Sequence, residues 1–370
     1  MVKVNKKILI HFDYVLPILL IPLIVVSYGL VQEMHPVLAQ KQLVYFTIGF
    51  LIFIFFFMIP IKKILWAVPI FYWLNVLLLL ATKLFGVAKL GAKRWLAIPG
   101  THFTIQPSEL MKPALILMLL YLIKKYRPEN EESYNLKEFA KLSVYILIPF
   151  LLIAKEPDLG TAMMILIMGF GTLFIIGVDT KIWLSIVLIL GLASPVLYGS
   201  LKDYQKKRIS DFLNKPSYHV RQAMIAIGSG GTYGKAKEDA TQTRLKFLPI
   251  STSDFIFSFF MERHGFLGGV LLIGLYFLII LHLLMMVRYS QGEYLIQTVA
   301  SALAFLFFVH VGVNIAMNIG YAPVVGIPLP LFSYGGTSFM TIMVIIGIYE
   351  NLVSFRHDDL YESVEFREEE

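Results

Sequence analysis

Long apolar runs dominate this sequence and limit what it can fold into. Stretches of about 18–20 residues with few charges recur along the whole chain, and a helix of about 20 apolar residues crosses the ~30 Å hydrocarbon core of a bilayer. Only 15% of the 370 residues are charged and 57% are hydrophobic, whereas a soluble domain carries about a quarter charged residues. The alternation typical of a membrane barrel is missing. Because only helices and closed barrels satisfy their backbone in lipid, the sequence predicts an all-α, polytopic membrane protein.

We predict ten transmembrane helices, with one long extracytoplasmic loop between the seventh and the eighth. An even number of spans leaves both termini on one side, and the short loops on that side are richer in Lys and Arg, which favours cytoplasmic termini. Residues 1–370 then form one transmembrane domain, residues 200–265 hold the long loop with an interfacial helix, and the acidic tail 358–370 is predicted to be disordered. The predicted spans are 14–32, 43–60, 64–82, 108–123, 142–155, 160–177, 182–199, 266–288, 296–319 and 337–355.

The long loop is basic although it is predicted to lie outside. It holds eleven of the 32 Lys and Arg residues, and outside loops are ordinarily poor in them. Either an anionic ligand or attraction to anionic lipid headgroups accounts for this charge. The loop also holds a glycine cluster at 228–234, but no strand precedes it and no Lys-Ser/Thr pair follows its last glycine, as a P-loop requires. A flexible turn is the better interpretation of these glycines.

Ionisable residues cluster near the predicted outer ends of the spans. Charge within a membrane is costly and marks a candidate functional site. Four separate segments supply such residues, so acids and bases from all four would meet at one face of the bundle. These residues are Arg94, Glu109, Lys112, Lys155, Glu156, Asp158 and Asp254. The chain has no cysteine, which excludes thiolate catalysis and cysteine metal sites.

Several of these candidates also have a purely structural interpretation. Glu109 and Lys112 are three residues apart, so they share a helix face and can pair. Asp158 can cap the sixth span, and Asp254 ends a Ser-Thr-Ser-Asp pattern that resembles a capping box. Arg94 stands beside a tryptophan and can anchor the chain at the membrane surface. The local sequence leaves the structural and the functional interpretations open.

The last third of the chain contains a polar stripe and a broken segment. His310, Asn314 and Asn318 recur every four residues, and stripes of this kind typically form hydrogen bonds between helices. Prolines and paired glycines between 328 and 336 predict non-helical chain before the last span. Such chain is stable at membrane depth only where protein contacts shield it from lipid.

Seven short motifs, taken together, carry a family resemblance. They are Arg94-Trp95; Gln106-Pro-Ser-Glu-Leu-Met-Lys112; Glu156-Pro-Asp-Leu-Gly-Thr161; Ala226-Ile-Gly-Ser-Gly-Gly231; Phe247-Leu-Pro249; Asp254-Phe-Ile-Phe257; and Pro323-Val-Val-Gly-Ile-Pro-Leu-Pro-Leu331 with Ser333-Tyr-Gly-Gly336. Each motif alone is weak, but their order and spacing resemble the SEDS family (shape, elongation, division and sporulation). Within that family the chain is more similar to the elongation branch than to the division branch.

The resemblance implies a function, partners and roles for individual residues. SEDS proteins polymerise lipid II into glycan strands at the outer face of the bacterial cytoplasmic membrane, in association with a class B penicillin-binding protein. By resemblance, Asp254 is the general base, and a divalent cation, Mg²⁺ or Mn²⁺, shares in stabilising the leaving group, with its ligands left open. Diphosphate binding is assigned to Arg94, Lys112 and Lys155, and supporting roles to Glu109, Asp158, Ser108, Gln106 and Ser333.

The chain departs from the usual family motif before Asp254. The family usually has Pro-Glu-x-His-Thr-Asp where this chain has Pro249-Ile-Ser-Thr-Ser-Asp254, so the acid and the histidine that precede the aspartate are missing.

A lipid II flippase and a division-type enzyme are the alternative functions. A flippase lines a path through the bilayer midplane with polar groups, whereas the charges of this chain gather at one face, which favours an enzyme.

Overall fold

The computed structural model describes most of the chain as a bundle of long helices. The described residues are 10–59, 61–89, 92–97, 104–126, 133–156, 158–200, 206, 210, 217–245, 247 and 252–356. The helices of ten or more residues are α1 Val15–Met34, α2 Pro36–Met58, α3 Ile61–Phe85, α4 Pro107–Lys125, α5 Leu136–Lys155, α6 Leu159–Ile176, α7 Thr180–Ser200, α8 Tyr218–Ser229, α9 Ile256–Tyr289, α10 Tyr294–Asn318 and α11 Gly336–Ser354. The predicted tail at 358–370 and much of the loop at 200–265 lie outside the described residues.

A helix of at least 18 residues lies at the position of every predicted span. Within the described residues, seven helices are long and apolar enough to cross a membrane: α1, α2, α3, α6, α9, α10 and α11. The other three are α4, α5 and α7, which lie at the predicted positions of spans four, five and seven. The architecture is therefore that of a multi-pass helical membrane protein.

Two helices, α4 and α10, form the centre of the bundle. α4 packs against α3, α5, α6, α10 and α11, and α10 packs against α4, α6, α9 and α11. Helix α4 buries both Glu109 and Lys112 in its first two turns. Because neighbouring helices surround α4, these charged side chains face protein rather than lipid, which removes most of the cost that a lipid-facing charge would carry.

A small antiparallel sheet interrupts the otherwise helical fold. Strands β1 Val87–Lys89, β2 Ala92–Ala97 and β3 Thr104–Ile105 follow α3 and lead directly into α4. Leu96 pairs with Ile105, so the segment that carries Arg94 lies beside the start of α4. The all-α prediction is wrong for this segment, because two of the three strands have only two or three residues and the six-residue β2, Ala-Lys-Arg-Trp-Leu-Ala, does not alternate between apolar and polar residues.

The glycine cluster in the long loop is a packed turn and not a flexible one. Helix α9 is broken at Gly265, whose φ is 65°. At this break the amides of Phe266 and Leu267 donate hydrogen bonds to the carbonyls of Gly231 and Thr232, at 2.8 and 3.1 Å. A Cβ at Gly234 would lie 2.2 Å from the carbonyl oxygen of Arg263, so only glycine permits this close approach. The break separates a first segment of α9 before Gly265 from the long part of the helix.

Candidate active site

The predicted ionisable residues meet in one polar cavity. It has a volume of about 460 Å³ and lies between β2, the first turns of α4 and α6, the middle of α10, and the chain that precedes α9 and α11. Six separate parts of the sequence therefore supply its walls. The wall residues with a charged or amide side chain are Arg94, Gln106, Glu109, Lys112, Asp158 and Asp254.

Asp158 joins three segments at one wall of the cavity. Its Oδ1 accepts a hydrogen bond from the amide of Thr161 at 3.3 Å, so it caps α6 as the sequence predicts. The same oxygen lies 3.4 Å from the guanidinium of Arg94 on β2. Its Oδ2 accepts from the side-chain amide of Gln106 at 3.3 Å. The structural and the functional interpretations of Asp158 therefore both hold, since one carboxylate caps a helix and orients a cation.

Lys112 is held between two partners at the floor of the cavity. Its Nζ donates to Glu109 Oε1 at 2.7 Å and lies 3.5 Å from His310 Nε2. The other ring nitrogen of His310, Nδ1, lies 2.9 Å from the carbonyl of Pro328, which can only accept. Nδ1 therefore carries the proton, and Nε2 is left as an acceptor for the ammonium group. The predicted pairing of Glu109 with Lys112 is present, and it lies inside the cavity rather than at a lipid-facing surface.

Asp254 is half-buried in the turn that precedes α9. Burial raises the pKa of its carboxyl above the ordinary value, and a hydrogen bond from Ser253 opposes that rise only in part. The cap of α9 is Phe255, with no side-chain hydrogen bond, so the predicted capping role of Asp254 is wrong. A Cβ on Gly326 would lie 3.5 Å from Asp254 Oδ2. The carboxyl group is therefore directed toward the loop that precedes α11, across the cavity.

Glu156 is a buried acid behind this wall to which the sequence assigned no individual role. Burial raises the pKa of its carboxyl to about 7. The hydroxyl of Thr82 on α3 forms a short hydrogen bond with Glu156 Oε1 and a second, 2.6 Å bond with the carbonyl of Leu79. The Thr82 hydroxyl donates to Glu156 Oε1, which opposes the rise in pKa only in part. An acid with a strongly raised pKa therefore lies two residues before Asp158.

The chain before α9 and the chain before α11 are joined by hydrogen bonds. Ser333 Oγ donates to the carbonyl of Ser253 at 2.7 Å and accepts from the amide of Leu329 at 2.8 Å. The amide of Tyr334 donates to the carbonyl of Thr252 at 2.8 Å. Ser333 therefore supports the site by fixing two backbone segments. The predicted shielding of the broken segment is also present, since residues 329–333 are all buried.

Two other predicted residues lie outside the cavity wall. Lys155 is exposed at the end of α5 and is not among the residues that line the cavity. The structure therefore does not bring Lys155 to the predicted diphosphate site, because the helix ends with this side chain facing outward. Ser108 is buried behind the wall, where its hydroxyl accepts a hydrogen bond from Gln106 at 3.1 Å.

The acids of the cavity fit a cation that a substrate helps to hold. In the part of the chain that the structure describes, no group of three or more His, Asp or Glu side chains is arranged to cage a metal ion. Mg²⁺ is often bound by one or two carboxylates together with substrate phosphates and water. Glu109 Oε2 is buried with no hydrogen-bond partner among the described residues, and Asp158 and Asp254 line the same cavity. These residues fit such a shared cation.

Comparisons with known proteins agree with this architecture over almost the whole chain. The peptidoglycan glycosyltransferase MrdB of Helicobacter pylori strain ATCC 700392 / 26695 is 52% identical, covering 95% of this chain and 93% of its own. MrdB of Escherichia coli K12 is 33% identical, covering 95% of this chain and 97% of its own. A probable peptidoglycan glycosyltransferase FtsW from Thiomicrospira cyclica is 31% identical, covering 84% and 80%.

Solved structures share the fold. One, described as structural coordination of polymerization and crosslinking by a peptidoglycan synthase complex, matches with a TM-score of 0.82 and 25% identity, covering 94% of this chain and 99% of the other. The rod shape determining protein RodA of Thermus thermophilus matches with a TM-score of 0.71 and 24% identity, covering 94% and 98%, and at that identity it shows the fold alone. A family model for FtsW, RodA and SpoVE, described as cell cycle protein, matches residues 6–358. The resemblance to the SEDS family is therefore confirmed, and the chain belongs to the FtsW/RodA/SpoVE family of cell cycle proteins.

Proposed function

We propose that this protein is a peptidoglycan glycosyltransferase that polymerises lipid II during cell elongation, with Asp254 as the general base. The observation that carries the proposal is the polar cavity, in which Asp254 shares the walls with two cations, Arg94 and Lys112. A base beside positive charge is what transfer of a sugar from a diphosphate requires. The elongation role rests on kinship, since the MrdB proteins are 52% and 33% identical to this chain.

The reaction joins two disaccharide units. The 4-hydroxyl oxygen of the acceptor bonds to the anomeric carbon of the donor, and the bond from that carbon to the lipid diphosphate breaks. The hydroxyl proton passes to the carboxylate of Asp254, and the electron pair leaves with the diphosphate. A carboxylate whose pKa is raised by burial is a stronger base than an exposed one, which suits proton transfer near neutral pH.

The leaving diphosphate needs more positive charge than the wall itself supplies. The wall has two cations, Arg94 and Lys112, and three carboxylates, Glu109, Asp158 and Asp254. Each cation is already paired with an acid, at 3.4 Å for Arg94 with Asp158 and 2.7 Å for Lys112 with Glu109. A dianionic diphosphate entering this wall would be poorly compensated by Coulombic attraction alone.

A divalent cation, Mg²⁺ or Mn²⁺, would restore that balance. We propose Glu109 Oε2, which has no hydrogen-bond partner among the described residues, as its candidate protein ligand, with the substrate diphosphate and water completing the site. When bound, the cation would neutralise charge that develops on the leaving group. Arg94 and Lys112 would orient the diphosphate from two walls, while Gln106 and Glu109 keep their partners in place.

Polymerisation of labelled lipid II by the purified protein tests the proposal. The matched pair is Asp254→Asn and Asp239→Asn, since Asp239 is an exposed aspartate in the same long loop. Each protein is assayed with Mg²⁺, with Mn²⁺ and with a chelator, with and without a class B penicillin-binding protein. We expect glycan ladders from the wild type and from Asp239→Asn, and none from Asp254→Asn. Equal ladders from both variants would assign the base elsewhere, and no ladder from the wild type would favour a flippase, tested by lipid II transfer across liposomes.

We further propose that the cavity opens at the outer face of the bacterial cytoplasmic membrane and that all ten helices of the predicted plan cross it. Because the chain has no cysteine, single cysteines report topology cleanly. Tyr233 in the long loop is 82% exposed, and Tyr289 at the far end of α9 is 79% exposed. In intact cells, a membrane-impermeant maleimide should label Tyr233→Cys but not Tyr289→Cys until the membrane is permeabilised. Labelling in the opposite order would place the cavity on the cytoplasmic face.

A class B penicillin-binding protein is the proposed partner. Support comes from the fold match to a chain of a peptidoglycan synthase complex. The paired helices α9 and α10 and the loop before them are the proposed contact surface, and α9 carries large exposed apolar side chains such as Phe266, Leu271 and Phe277. Phe277→Ser combined with Leu271→Ser should reduce co-purification with the partner. Unchanged co-purification would move the contact to another surface.

A further inference from the structure

We propose that His310 and Asn314 on α10 are positioning residues that set the diphosphate-binding Lys112 and the base Asp254 at a fixed separation. This inference rests on the proposed function of the two groups. Sequence spacing alone predicted only bonds between helices for this stripe. In the structure those bonds are present, to Lys112 on α4 and to Ser258 on α9, and the stripe also binds the two loops that build the cavity.

Asn314 holds the backbone of the base. Its side-chain nitrogen donates to the carbonyl of Asp254 at 2.9 Å and to the carbonyl of Ile327 at 2.7 Å. The two carbonyls belong to the chain segments on either side of the Asp254 carboxyl group. Asn318, one turn further along, donates to the same Asp254 carbonyl at 3.1 Å. Both asparagines are fully buried, so the position of Asp254 follows that of α10.

His310 holds the cation in the same manner. Its Nδ1 donates to the carbonyl of Pro328 at 2.9 Å, and its Nε2 accepts from Lys112 Nζ at 3.5 Å. The residue is 1% exposed, although its ring reaches the cavity wall. Lys112 is thereby fixed from α10 as well as by Glu109, its partner on α4.

The spacing of His310 and Asn314 along α10 fixes the distance between Lys112 and Asp254. His310 and Asn314 are four residues apart, so they lie on one face, separated by about 6 Å along the axis of α10. α10 is packed on several sides by α4, α6, α9 and α11, which keeps it rigid. The single rigid helix α10 therefore holds both Asp254, which receives the proton, and Lys112, which binds the leaving diphosphate. A displacement of about 1 Å at such a site lowers the rate by up to about a hundredfold.

A matched asparagine separates positioning from general stability. Asn351 on α11 is fully buried, and its side-chain nitrogen also bridges two backbone carbonyls, those of Phe57 and Ile59, at 2.6 and 2.7 Å. It lies fifteen residues beyond the first residue of α11, whereas the cavity contacts α11 at its first three residues, 336–338. Asn314→Leu and Asn351→Leu remove the same type of contact, but only the first releases the base.

Steady-state kinetics with lipid II, in the full-length protein with its partner, tests the role of Asn314. We expect Asn314→Leu to lower kcat by about tenfold or more, with the KM for lipid II changed by less than about twofold, because the base and not the binding site is displaced. Asn351→Leu should keep kcat within about twofold of the wild type. Thermal melting of both variants is measured alongside. Equal kcat losses in the two variants would overturn the role of Asn314.

Asn318→Leu provides a second route if Asn314→Leu does not fold. It removes one of the two donors to the Asp254 carbonyl and the bonds of Asn318 to Asn314 and Ser258, but it leaves both bonds donated by Asn314 in place. The expected result is a smaller loss of kcat in the same direction. An unchanged kcat in a folded Asn318→Leu protein would count against the proposal.

The role of His310 is tested by loss and by conservative rescue. His310→Leu removes both contacts and should raise the KM for lipid II about fivefold, since binding of the diphosphate is weakened in the ground state and the transition state alike. His310→Gln keeps one donor and one acceptor and should restore most of the affinity. A glutamine variant as defective as the leucine variant would reject the role of His310.

The activities of the variants distinguish an error in the assignment of the base, Asp254, from an error in the positioning role of Asn314. If Asp254→Asn polymerises lipid II as well as the wild type, the proposed base is wrong. If Asp254→Asn is inactive while Asn314→Leu behaves like Asn351→Leu, the function stands and only the positioning role is rejected.

Discussion

The guanidinium of Arg94 lies 3.4 Å from the carboxylate of Asp158, and this one ion pair joins the small sheet after α3 to the first turn of α6. The side chain of Asp158 is almost fully buried, while that of Arg94 remains 22% exposed toward the cavity. A partly exposed cation with a fixed partner is oriented before a substrate arrives. Such preorganisation lowers the reorganisation that binding and catalysis require.

Asp158→Asn should remove the negative charge of this side chain while keeping its role as the cap of α6. Asparagine caps helices about as well as aspartate, so the bond to the Thr161 amide survives, and the free energy of unfolding should change little. Loss of the negative charge removes the ion pair with Arg94, and we expect polymerisation to fall about tenfold or more, about 1.4 kcal/mol or above in activation free energy. Asp158→Ala should lose the same activity and about 1 kcal/mol of stability as well. An active Asp158→Asn enzyme would reduce Asp158 to a cap.

The pH dependence of the polymerisation rate should follow the ionisation of the Asp254 carboxyl group. The base acts when ionised, and burial raises its pKa, so the rate should fall on acidification at a pH higher than the ordinary aspartate value of about 3.9. Initial rates of polymerisation at saturating lipid II, measured across the acid range, locate this limb. Asp239→Asn, which removes an exposed aspartate, should leave the limb in place. A rate that stays constant down to about pH 4 would contradict the assignment of the base.

Glu156 should make the folded state less stable as the pH rises. Its pKa is about 7 in the folded protein against 4.5 ordinarily, so the folded state binds the proton more tightly than the unfolded state does. The stabilisation is complete below about 4.5, declines as the pH rises, and is lost above about 7. Thermal melting across this range should show the decline in the wild type and a flatter profile in Glu156→Gln. Glu238→Gln, at an exposed loop position, is the control and should retain the wild-type slope.

A methyl group at Gly326 should fill the cavity space beside the base, in van der Waals contact with Asp254 Oδ2. Gly326 has a φ of 73° and Gly292 a φ of 91°, so alanine at either position costs roughly 1–2 kcal/mol in backbone strain. A Cβ at Gly326 would lie 3.5 Å from Asp254 Oδ2, whereas one at Gly292 would meet no atom within 4 Å. Gly326→Ala should therefore lose most polymerisation activity, while Gly292→Ala loses stability alone. Equal activity in the two variants would show that the space beside Asp254 is not needed.

Much of the fold could be predicted because it depends on local properties of the chain. The length and polarity of a segment decide whether it crosses a bilayer, so the predicted spans coincide with helices in every case. The cap at Asp158 and the pair Glu109–Lys112 were also predictable, since both are set by spacings of three residues. The sheet that carries Arg94 was missed because β1 and β3 are very short and the six residues of β2 do not alternate between apolar and polar.

The sequence by itself determined a multi-pass helical protein, and its motifs indicated Asp254 as the base among a set of nearby acids and cations. Only the tertiary structure decided which of these groups meet. Lys112 and His310 are 198 residues apart, and Asn314 and Asp254 are 60 apart, so their contacts depend on how each helix is rotated and packed. The same packing leaves Lys155 exposed at the end of α5 and buries Glu156, the next residue. Hydrophobic length is a local property, whereas the environment and pairing of a charge follow from the assembled bundle.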